Sequence, residues 1–376
     1  MLIQGVNVGW LGPFLPEISA AMRVSIDRAG LVVSAVAAGY LAALIAGGEV
    51  AHRKSAQQML GGAMILVSAG LAGIALAPRI GAMLVAAAIV GLGQGAIDIA
   101  ANAIVADLNR ERLGAALNYL HVMFGVGALV GPVIVGFALR SHVPYPFTFA
   151  LGAALTATVA IMLCLAPPVD ARAHGYEVHG AFAILTHPMV WVIATVLFLY
   201  VGAETGVGAW LFSYLRAQTA AGASLASWAV SLYWFGLVAG RLVGGVLANR
   251  IAPKAMAVAA CALSAVAIAG LIAAPGVPAF AAAMIFFIGA GYGPGFPNMI
   301  AIGAATFPAE VGRMTSVVAA GGAVGAIVVP WMMGYTLAAS GARSSMEAAL
   351  AITAMMAVCL CVLRSVSSPA QARAAS

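Results

Sequence analysis

The chain has 376 residues, of which 64% are hydrophobic and only 7% are charged, and its formal net charge is +6. Soluble domains carry about 25% charged residues, so this composition excludes a soluble enzyme or binding domain and indicates a polytopic membrane protein. The basic residues stand singly between apolar runs and form no cluster of the kind that binds nucleic acid.

Twelve apolar segments are each long enough to cross a bilayer as a helix. The longest polar stretch follows the sixth segment and divides the chain into an N-terminal six-helix half (1–166), a cytoplasmic linker (167–187) and a C-terminal six-helix half (188–376). We therefore predict an all-α membrane protein. The predicted helices lie near residues 2–22, 29–50, 57–77, 80–105, 113–139, 145–166, 188–215, 222–248, 254–273, 278–305, 311–338 and 345–365.

The two halves share sequence at a nearly constant offset. The segment 48–53 resembles 245–250 at an offset of 197, and the glycines at 91, 93 and 95 recur at 289, 291 and 293. The segment 127–132 recurs at 325–330. The pattern predicts two parallel six-helix repeats related by an axis along the membrane normal, an arrangement that suits alternating access.

Loop charges predict the orientation. Both lysines, Lys54 and Lys254, and most loop arginines fall on one side of the membrane, which places both termini and the linker in the cytoplasm of a bacterial inner membrane. The cysteines lie inside apolar runs without metal-ligand spacing, and no phosphate loop or dinucleotide fingerprint occurs. We expect no cofactor, no metal and no enzymatic activity.

Asp98 lies near the middle of the fourth segment, close to the glycines at 91, 93 and 95. A carboxylate at the centre of a membrane helix costs about 2.5–3.5 kcal/mol and usually has a function, so we predict that Asp98 carries a coupling proton. Alternatively, Asp98 is a neutral carboxylic acid that only forms a hydrogen bond to a neighbouring helix. His121 titrates near neutral pH and shares the proton in this prediction, whereas a lone helical histidine is more often a packing residue.

Glu204 is the second acid within a predicted span, and we expect it either to accept hydrogen bonds from solute hydroxyls or to bond a neighbouring helix. Trp210 follows it and is predicted either to cover the solute or to lie at the membrane interface. Arg241 in the eighth segment either pairs with a buried acid or reaches the interface, and we predict a gating role.

Other polar residues interrupt otherwise apolar helices. Their amides and hydroxyl need partners, which a solute or a neighbouring helix can supply. The stretch 292–298 contains two prolines and is predicted to act as a hinge beside a cavity. The predicted solute-binding residues of this kind are Asn7, Gln94, Asn118, Tyr292 and Asn298.

These features resemble the major facilitator superfamily over the whole chain. The loop after the second helix is similar to the family's Gly-x-x-x-Asp-Arg signature, with Gly48 and Arg53 kept and His52 in place of the acid. The second copy keeps Arg250 but has Asn249 at the acid position. The resemblance implies gating roles for Arg53 and Arg250, through contacts to helix-end carbonyls rather than through the usual acid.

Within the superfamily the chain most resembles the fucose permease branch of sugar and proton symporters. Residues 98–102 match that branch's acid-x-Ala-Ala-Asn, which implies that Asn102 binds solute, and 200–204 and 234–241 are also similar to it. The branch has a second acid in the first helix, where this chain has Gly12 and Pro13. This departure argues against fucose itself as the solute.

The sequence thus predicts a secondary transporter that imports a small polar solute, such as a sugar, together with protons. One alternative is proton-driven efflux of drugs or metabolites, because 127–132 also resembles the family's antiporter motif. The other is a membrane receptor that binds without transport. We expect the protein to act as a monomer in the lipid bilayer, with small molecules and protons as partners and without nucleic acid.

Overall fold

The computed structural model describes residues 1–53, 55–108, 113–167, 184–248, 250–307 and 311–363. Within these ranges, the side chains at 47–53, 106–107, 113–118, 311–313, 316 and 362 are not described. The described chain forms thirteen α-helices. It divides into two compact units, Met1–Glu177 and Val178–Ser376. The predicted linker lies largely outside the described residues, so the predicted domain boundaries stay a prediction.

Six helices form the first unit. Near-continuous apolar sequence favours helices of membrane length, because only a helix satisfies its own backbone hydrogen bonds in lipid. Pro13 and Pro16 lie inside the first helix and Pro132 inside the fifth. The six are α1 (Leu2–Met22), α2 (Ile26–Arg53), α3 (Ala56–Leu76), α4 (Ile80–Leu108), α5 (Leu113–Arg140) and α6 (Tyr145–Leu165).

Seven helices form the described part of the second unit, because its fourth membrane-length segment is broken in two after Tyr292. They are α7 (Pro188–Gln218), α8 (Ala223–Leu247), α9 (Pro253–Ala273), α10 (Pro278–Tyr292), α11 (Gly295–Thr306), α12 (Val311–Ser340) and α13 (Ala342–Val362).

The described helices agree with the twelve predicted segments, since α10 and α11 together form one of them. Eleven segments of the described chain are long and apolar enough to cross a membrane. The first helix is not among them, and it carries Gln4, Asn7 and Glu17 in its otherwise apolar sequence. The protein is therefore an all-helical, multi-pass membrane protein, and its break at 293–294 lies inside the stretch predicted to act as a hinge.

Each unit uses the same set of helix pairings. In the first unit, α1 packs on α5, α2 packs on α4, and α3 packs on both α4 and α6. In the second unit, α7 packs on α12, α8 packs on α10, and α9 packs on both α10 and α13. Each pairing in one unit thus has a counterpart, in the same helix order, in the other.

Close contact between helix backbones depends on glycine. A Cβ atom on Gly91 would lie 1.8 Å from the carbonyl oxygen of Val36, and one on Gly39 would lie 1.9 Å from that of Ala88. Any side chain would therefore separate α2 from α4. Small residues are what let membrane helices approach this closely, because van der Waals packing replaces the hydrophobic effect there.

The second unit repeats these contacts between α8 and α10. A Cβ atom on Gly289 would lie 2.0 Å from the carbonyl oxygen of Tyr233, and one on Gly236 would lie 2.1 Å from that of Phe286. Each glycine of this set stands 197 or 198 residues after its counterpart in the first unit. The same backbone approach is thus built twice.

A polar side chain caps the end of the last helix in each unit. Gln57 donates from Nε2 to the carbonyl oxygens of Leu163 (3.1 Å) and Ala166 (3.3 Å) at the end of α6. Lys254, which is 197 residues later, donates from Nζ to those of Cys361 (3.2 Å) and Leu363. Both satisfy carbonyls that a helix end leaves without an intrahelical donor.

We expect Gly91→Ala to lower the stability of the protein, because the added methyl group overpacks the α2–α4 contact at a cost of about 1–3 kcal/mol. Gly81→Ala is the matched control in the same helix, since a Cβ there meets nothing within 4 Å. The melting temperature of the purified protein in detergent should fall for Gly91→Ala and stay level or rise for Gly81→Ala. Equal melting temperatures for the two variants would contradict this account.

Candidate functional site

Asp98 on α4 is held by a residue of α2. The Tyr40 hydroxyl donates a hydrogen bond of 2.5 Å to Asp98 Oδ2. One turn later on α4, the Asn102 amide donates to the backbone carbonyl of Asp98 at 2.7 Å. The Asn102 side chain therefore donates to its own helix and not to the Asp98 carboxylate. The carboxylate is positioned by Tyr40. Asp98 remains partly exposed.

Helices α1 and α5 complete the polar surroundings of Asp98. Gln4 on α1 is 5% exposed and donates to the carbonyl of Gln94 at 3.4 Å. His121 on α5 is exposed and interacts electrostatically with Asp98. The carboxylate thus stands among hydrogen-bond donors and an imidazole.

The polar atoms of α1 are not all used. Neither the Gln4 Oε1 atom nor the Asn7 Nδ2 atom makes a hydrogen bond within the described part of the chain, although both atoms are buried. Buried polar groups are almost always paired, so unpaired ones call for a partner. Asn118, predicted to bind solute from α5, has a side chain outside the described residues.

Glu204 on α7 forms an ion pair with Arg241 on α8. The Arg241 Nη2 atom lies 3.5 Å from Glu204 Oε1, and the two side chains retain 29% and 11% of their exposure. Charge-assisted hydrogen bonds usually measure 2.7–2.9 Å, so this pair is a loose one. The Tyr233 hydroxyl donates to the backbone carbonyl of Glu204 at 2.8 Å. Glu204 is thus tied to α8 by both its side chain and its backbone.

The same guanidinium also contacts the break between α10 and α11. In an unbroken helix the Gly293 carbonyl would accept from residue 297, but Pro297 has no N–H. Arg241 Nε donates to this carbonyl at 3.3 Å. A carbonyl without a donor is costly in a membrane, so Arg241 stabilises the break. One side chain therefore serves both an acid on α7 and the interrupted helix.

Aromatic residues surround this ion pair. The rings of Tyr200 and Tyr292 meet edge to face, with centroids 6.2 Å apart. Tyr292 is 1% exposed, and its hydroxyl is hydrogen-bonded to Thr353 Oγ1 at 2.7 Å. The Tyr200 ring occupies the space that a side chain at position 295 would need. Tyr292 is thus engaged in packing between helices. Asn298 is buried, and its Nδ2 atom has no hydrogen-bond partner among the described residues.

Trp210 lies apart from the ion pair, in the contact between α7 and α12. Its ring is fully buried, and its Nε1 donates to the carbonyl of Pro330 at 2.7 Å. The absence of a side chain on Gly334 makes room for the indole between helices, and the predicted place of Trp210 at the membrane interface stays a prediction. With its ring and N–H both used in packing, we do not retain Trp210 among the proposed solute-binding residues.

The two arginines predicted to act in gating lie at the end of α2 and after the end of α8. The side chain of Arg53 lies outside the described residues. Arg250 is exposed, and its side chain makes no hydrogen bond to the described chain. The predicted contact of Arg250 with helix-end carbonyls is thus not found in the described chain. Lys254 instead donates to the carbonyls at the end of α13.

Sequence reasoning missed three tyrosines that contact the two acids: Tyr40, Tyr200 and Tyr233. A signal existed for Tyr200, because it precedes Glu204 by one helical turn and therefore shares its face. Tyr40 and Tyr233 lie on other helices than the acids they contact, so the pairing of helices had to be known first.

The family model described as "Major Facilitator Superfamily" matches residues 1–222 and 193–376. Among curated proteins, the chain is 25% identical over 134 residues to "Sodium-dependent glucose transporter 1A" of Mus musculus, covering 36% of this chain and 32% of the relative. It is 24% identical over 283 residues to "Bypass of stop codon protein 6" of Saccharomyces cerevisiae, covering 65% and 56%. The chain thus spans from about a third to just over half of the length of these relatives.

Solved structures share the fold over nearly all of the chain. The inward open conformation of the xylose transporter XylE from E. coli has a TM-score of 0.79 at 13% identity, covering 99% of this chain and 97% of that one. The E. coli fucose:proton symporter FucP has a TM-score of 0.66 at 18% identity, with 97% coverage of both chains. At these identities the likeness concerns the fold alone.

We expect Arg241→Met to lower the free energy of unfolding by about 2 kcal/mol, because it leaves the Glu204 carboxylate and the Gly293 carbonyl without a partner. This is less than the roughly 3–5 kcal/mol of a fully buried pair, since the Arg241 side chain keeps 29% of its exposure. The double variant Glu204→Gln, Arg241→Met should recover part of the loss in a denaturation assay.

The exposed pair between Arg343 and Glu347, 2.8 Å apart, provides the control. Arg343→Met should change stability little, because exposed pairs contribute little. A double variant no more stable than Arg241→Met alone would argue against a stabilising ion pair at Glu204.

Proposed function

Because the family match spans the whole chain, the protein belongs to the Major Facilitator Superfamily, and we propose that it moves a small polar solute, such as a sugar, by proton-coupled alternating access. Membership makes the chain a membrane transporter rather than an enzyme. We further propose that the protein lies in a bacterial inner membrane and that both of its termini are in the cytoplasm.

The hydrogen bond between Tyr40 and Asp98 is the observation that carries the proton-coupling proposal. An acid in a membrane helix is retained when it has a function, and this one is positioned by a neighbouring helix while it stays partly exposed. A partly exposed carboxylate can exchange its proton with water. His121, which interacts with Asp98, offers a second titratable group for the transfer.

The groups around Asp98 favour a proton over a metal cation. A sodium ion needs several oxygen acceptors, and the Tyr40 hydroxyl donates to this carboxylate while the His121 imidazole adds positive charge when protonated. Such surroundings suit a carboxylate that alternates between charged and protonated forms. A metal cation would compete with both neighbours.

A polar solute is favoured by the unpaired buried amide atoms of Gln4 and Asn7 on α1. Sugar hydroxyls both donate and accept hydrogen bonds, so they can pair with the Gln4 oxygen and with the Asn7 nitrogen. Glucose, xylose and fucose are named as the solutes of three of the similar proteins, which is consistent with this class. Gln94, Glu204 and Asn298 complete the proposed solute-binding set.

The repeated helix pairings support the proposal of two parallel six-helix repeats. The glycine contacts of α2 with α4 return between α8 and α10, and the caps from Gln57 and Lys254 return at the same offset. Transporters built from such repeats alternate their access by moving one repeat against the other. We propose this mechanism here, with the loop arginines 53 and 250 near the gate.

We expect Asp98→Asn to abolish accumulation of solute driven by a pH gradient in liposomes, while exchange of internal for external solute continues. The asparagine cannot carry a proton, but it keeps the size of the side chain. A gradient of one pH unit corresponds to about 1.4 kcal/mol. Coupled transport of one proton therefore lets the wild-type protein accumulate solute up to about tenfold. Radiolabelled solute measures both quantities in the same vesicles.

Glu347→Gln is the control, because this acid is exposed and pairs only along its own helix in the described chain. It should accumulate solute as the wild type does. Full accumulation by Asp98→Asn would remove the proposed role of Asp98. Movement of solute out of the compartment that receives protons would show efflux instead of symport.

A further inference from the structure

The surroundings of Glu204 contain more hydrogen-bond donors than the protein uses. The Tyr200 hydroxyl is fully buried beside Glu204 and Arg241 and interacts with both, but neither side chain reaches it in close hydrogen-bond geometry. The Trp234 Nε1 atom is likewise buried without a partner in the described ranges. Leaving a buried donor unpaired costs about 1–3 kcal/mol, which a bound acceptor would offset.

These donors lie on the helices that meet at the ion pair. The Trp234 ring packs against Gly208, one turn after Glu204 on α7. Asn298, whose Nδ2 is buried and unpaired among the described residues, shares a face of α11 with Gly295, which contacts the Tyr200 ring. The three donors thus belong to α7, α8 and α11, and Tyr200 interacts with both members of the ion pair.

Arg241 is anchored in a way that leaves its outer nitrogens available. Its Nε atom is fixed on the Gly293 carbonyl, whereas its Nη2 atom lies 3.5 Å from Glu204. The guanidinium can therefore change its acceptor without releasing the helix break. Its 29% exposure gives a ligand access to it, and a carboxylate can take both outer nitrogens at once.

We infer that Arg241 binds the carboxylate of an anionic solute, which displaces Glu204 from the guanidinium. The solute class is then a small hydroxylated carboxylate, such as a hexuronate, rather than a neutral sugar. The carboxylate takes the outer nitrogens of Arg241, and the solute's remaining oxygens accept from Tyr200, Trp234 and Asn298. Arg241 is the specificity-determining residue, and Glu204 competes with the solute for it.

This inference rests on the proposed transport of a polar solute, and matched sugars separate the two claims. Glucose and glucuronate, and galactose and galacturonate, differ only in a hydroxymethyl or a carboxylate group at one carbon. Their dissociation constants are measured by calorimetry on the full chain in nanodiscs. Four proteins are compared: the wild type, the single variants Glu204→Gln and Trp234→Phe, and the double variant that combines Glu204→Gln with Arg241→Met. Accumulation driven by a pH gradient is measured for the same sugars.

We expect the wild type to bind each hexuronate at least tenfold more tightly than its hexose. Glu204→Gln should strengthen hexuronate binding about tenfold, because a like charge beside the ligand is removed. The double variant should lose the preference for hexuronates. It removes one negative and one positive charge, so the net charge of the pair stays zero as in the wild type. Trp234→Phe keeps the ring and removes the N–H, so it should weaken hexuronate binding severalfold even if the charge variants do not fold.

Hexuronate binding that Glu204→Gln weakens or leaves unchanged would overturn the inference, as would a wild type that prefers hexoses. Accumulation of hexoses without hexuronate binding would overturn it while the proposed transport stands. Hexuronate binding with the expected preference but without flux would leave the inference in place and contradict the transport proposal. Binding of neither sugar class would overturn both.

Discussion

The structure depends on one constraint, which is that backbone polar groups inside a membrane must be satisfied within the protein. Helices satisfy them locally, and glycines then let the helix backbones approach until carbonyl oxygens nearly touch the facing Cα positions, as at Gly91 and Gly289. The exception is the break between α10 and α11, where Pro297 removes a donor. Arg241 supplies that donor from another helix.

The same requirement explains why charge is concentrated around Glu204. Arg241 brings a positive charge to the break, and Glu204 balances it loosely from α7. Asp98 has different surroundings, in which the Tyr40 hydroxyl donates a hydrogen bond to the carboxylate. One acid is thus matched by a cation and the other by a hydroxyl, which suits the first to recognition of charge and the second to exchange of a proton.

The proposed repeats share their scaffold but not their chemistry. At the offset of 197–198 residues, Glu204 corresponds to Asn7, and Asp98 corresponds to Phe296. The glycine contacts and the helix-end caps are kept, because they hold helices together wherever the repeat occurs. The polar side chains near the proposed sites are not repeated in this way.

The membrane class, the helical segments, the broken segment near 293 and the places of Asp98, Glu204 and Arg241 inside those segments could all be predicted from the sequence. These follow from local properties: apolar length, missing N–H groups and the cost of charge in lipid. Only the tertiary structure decided that Tyr40 holds Asp98, that Asn102 bonds its own helix and that Trp210 is a packing residue. The reason is that these roles depend on which helix faces which, and helical periodicity gives a residue's face but not the neighbour that the face meets.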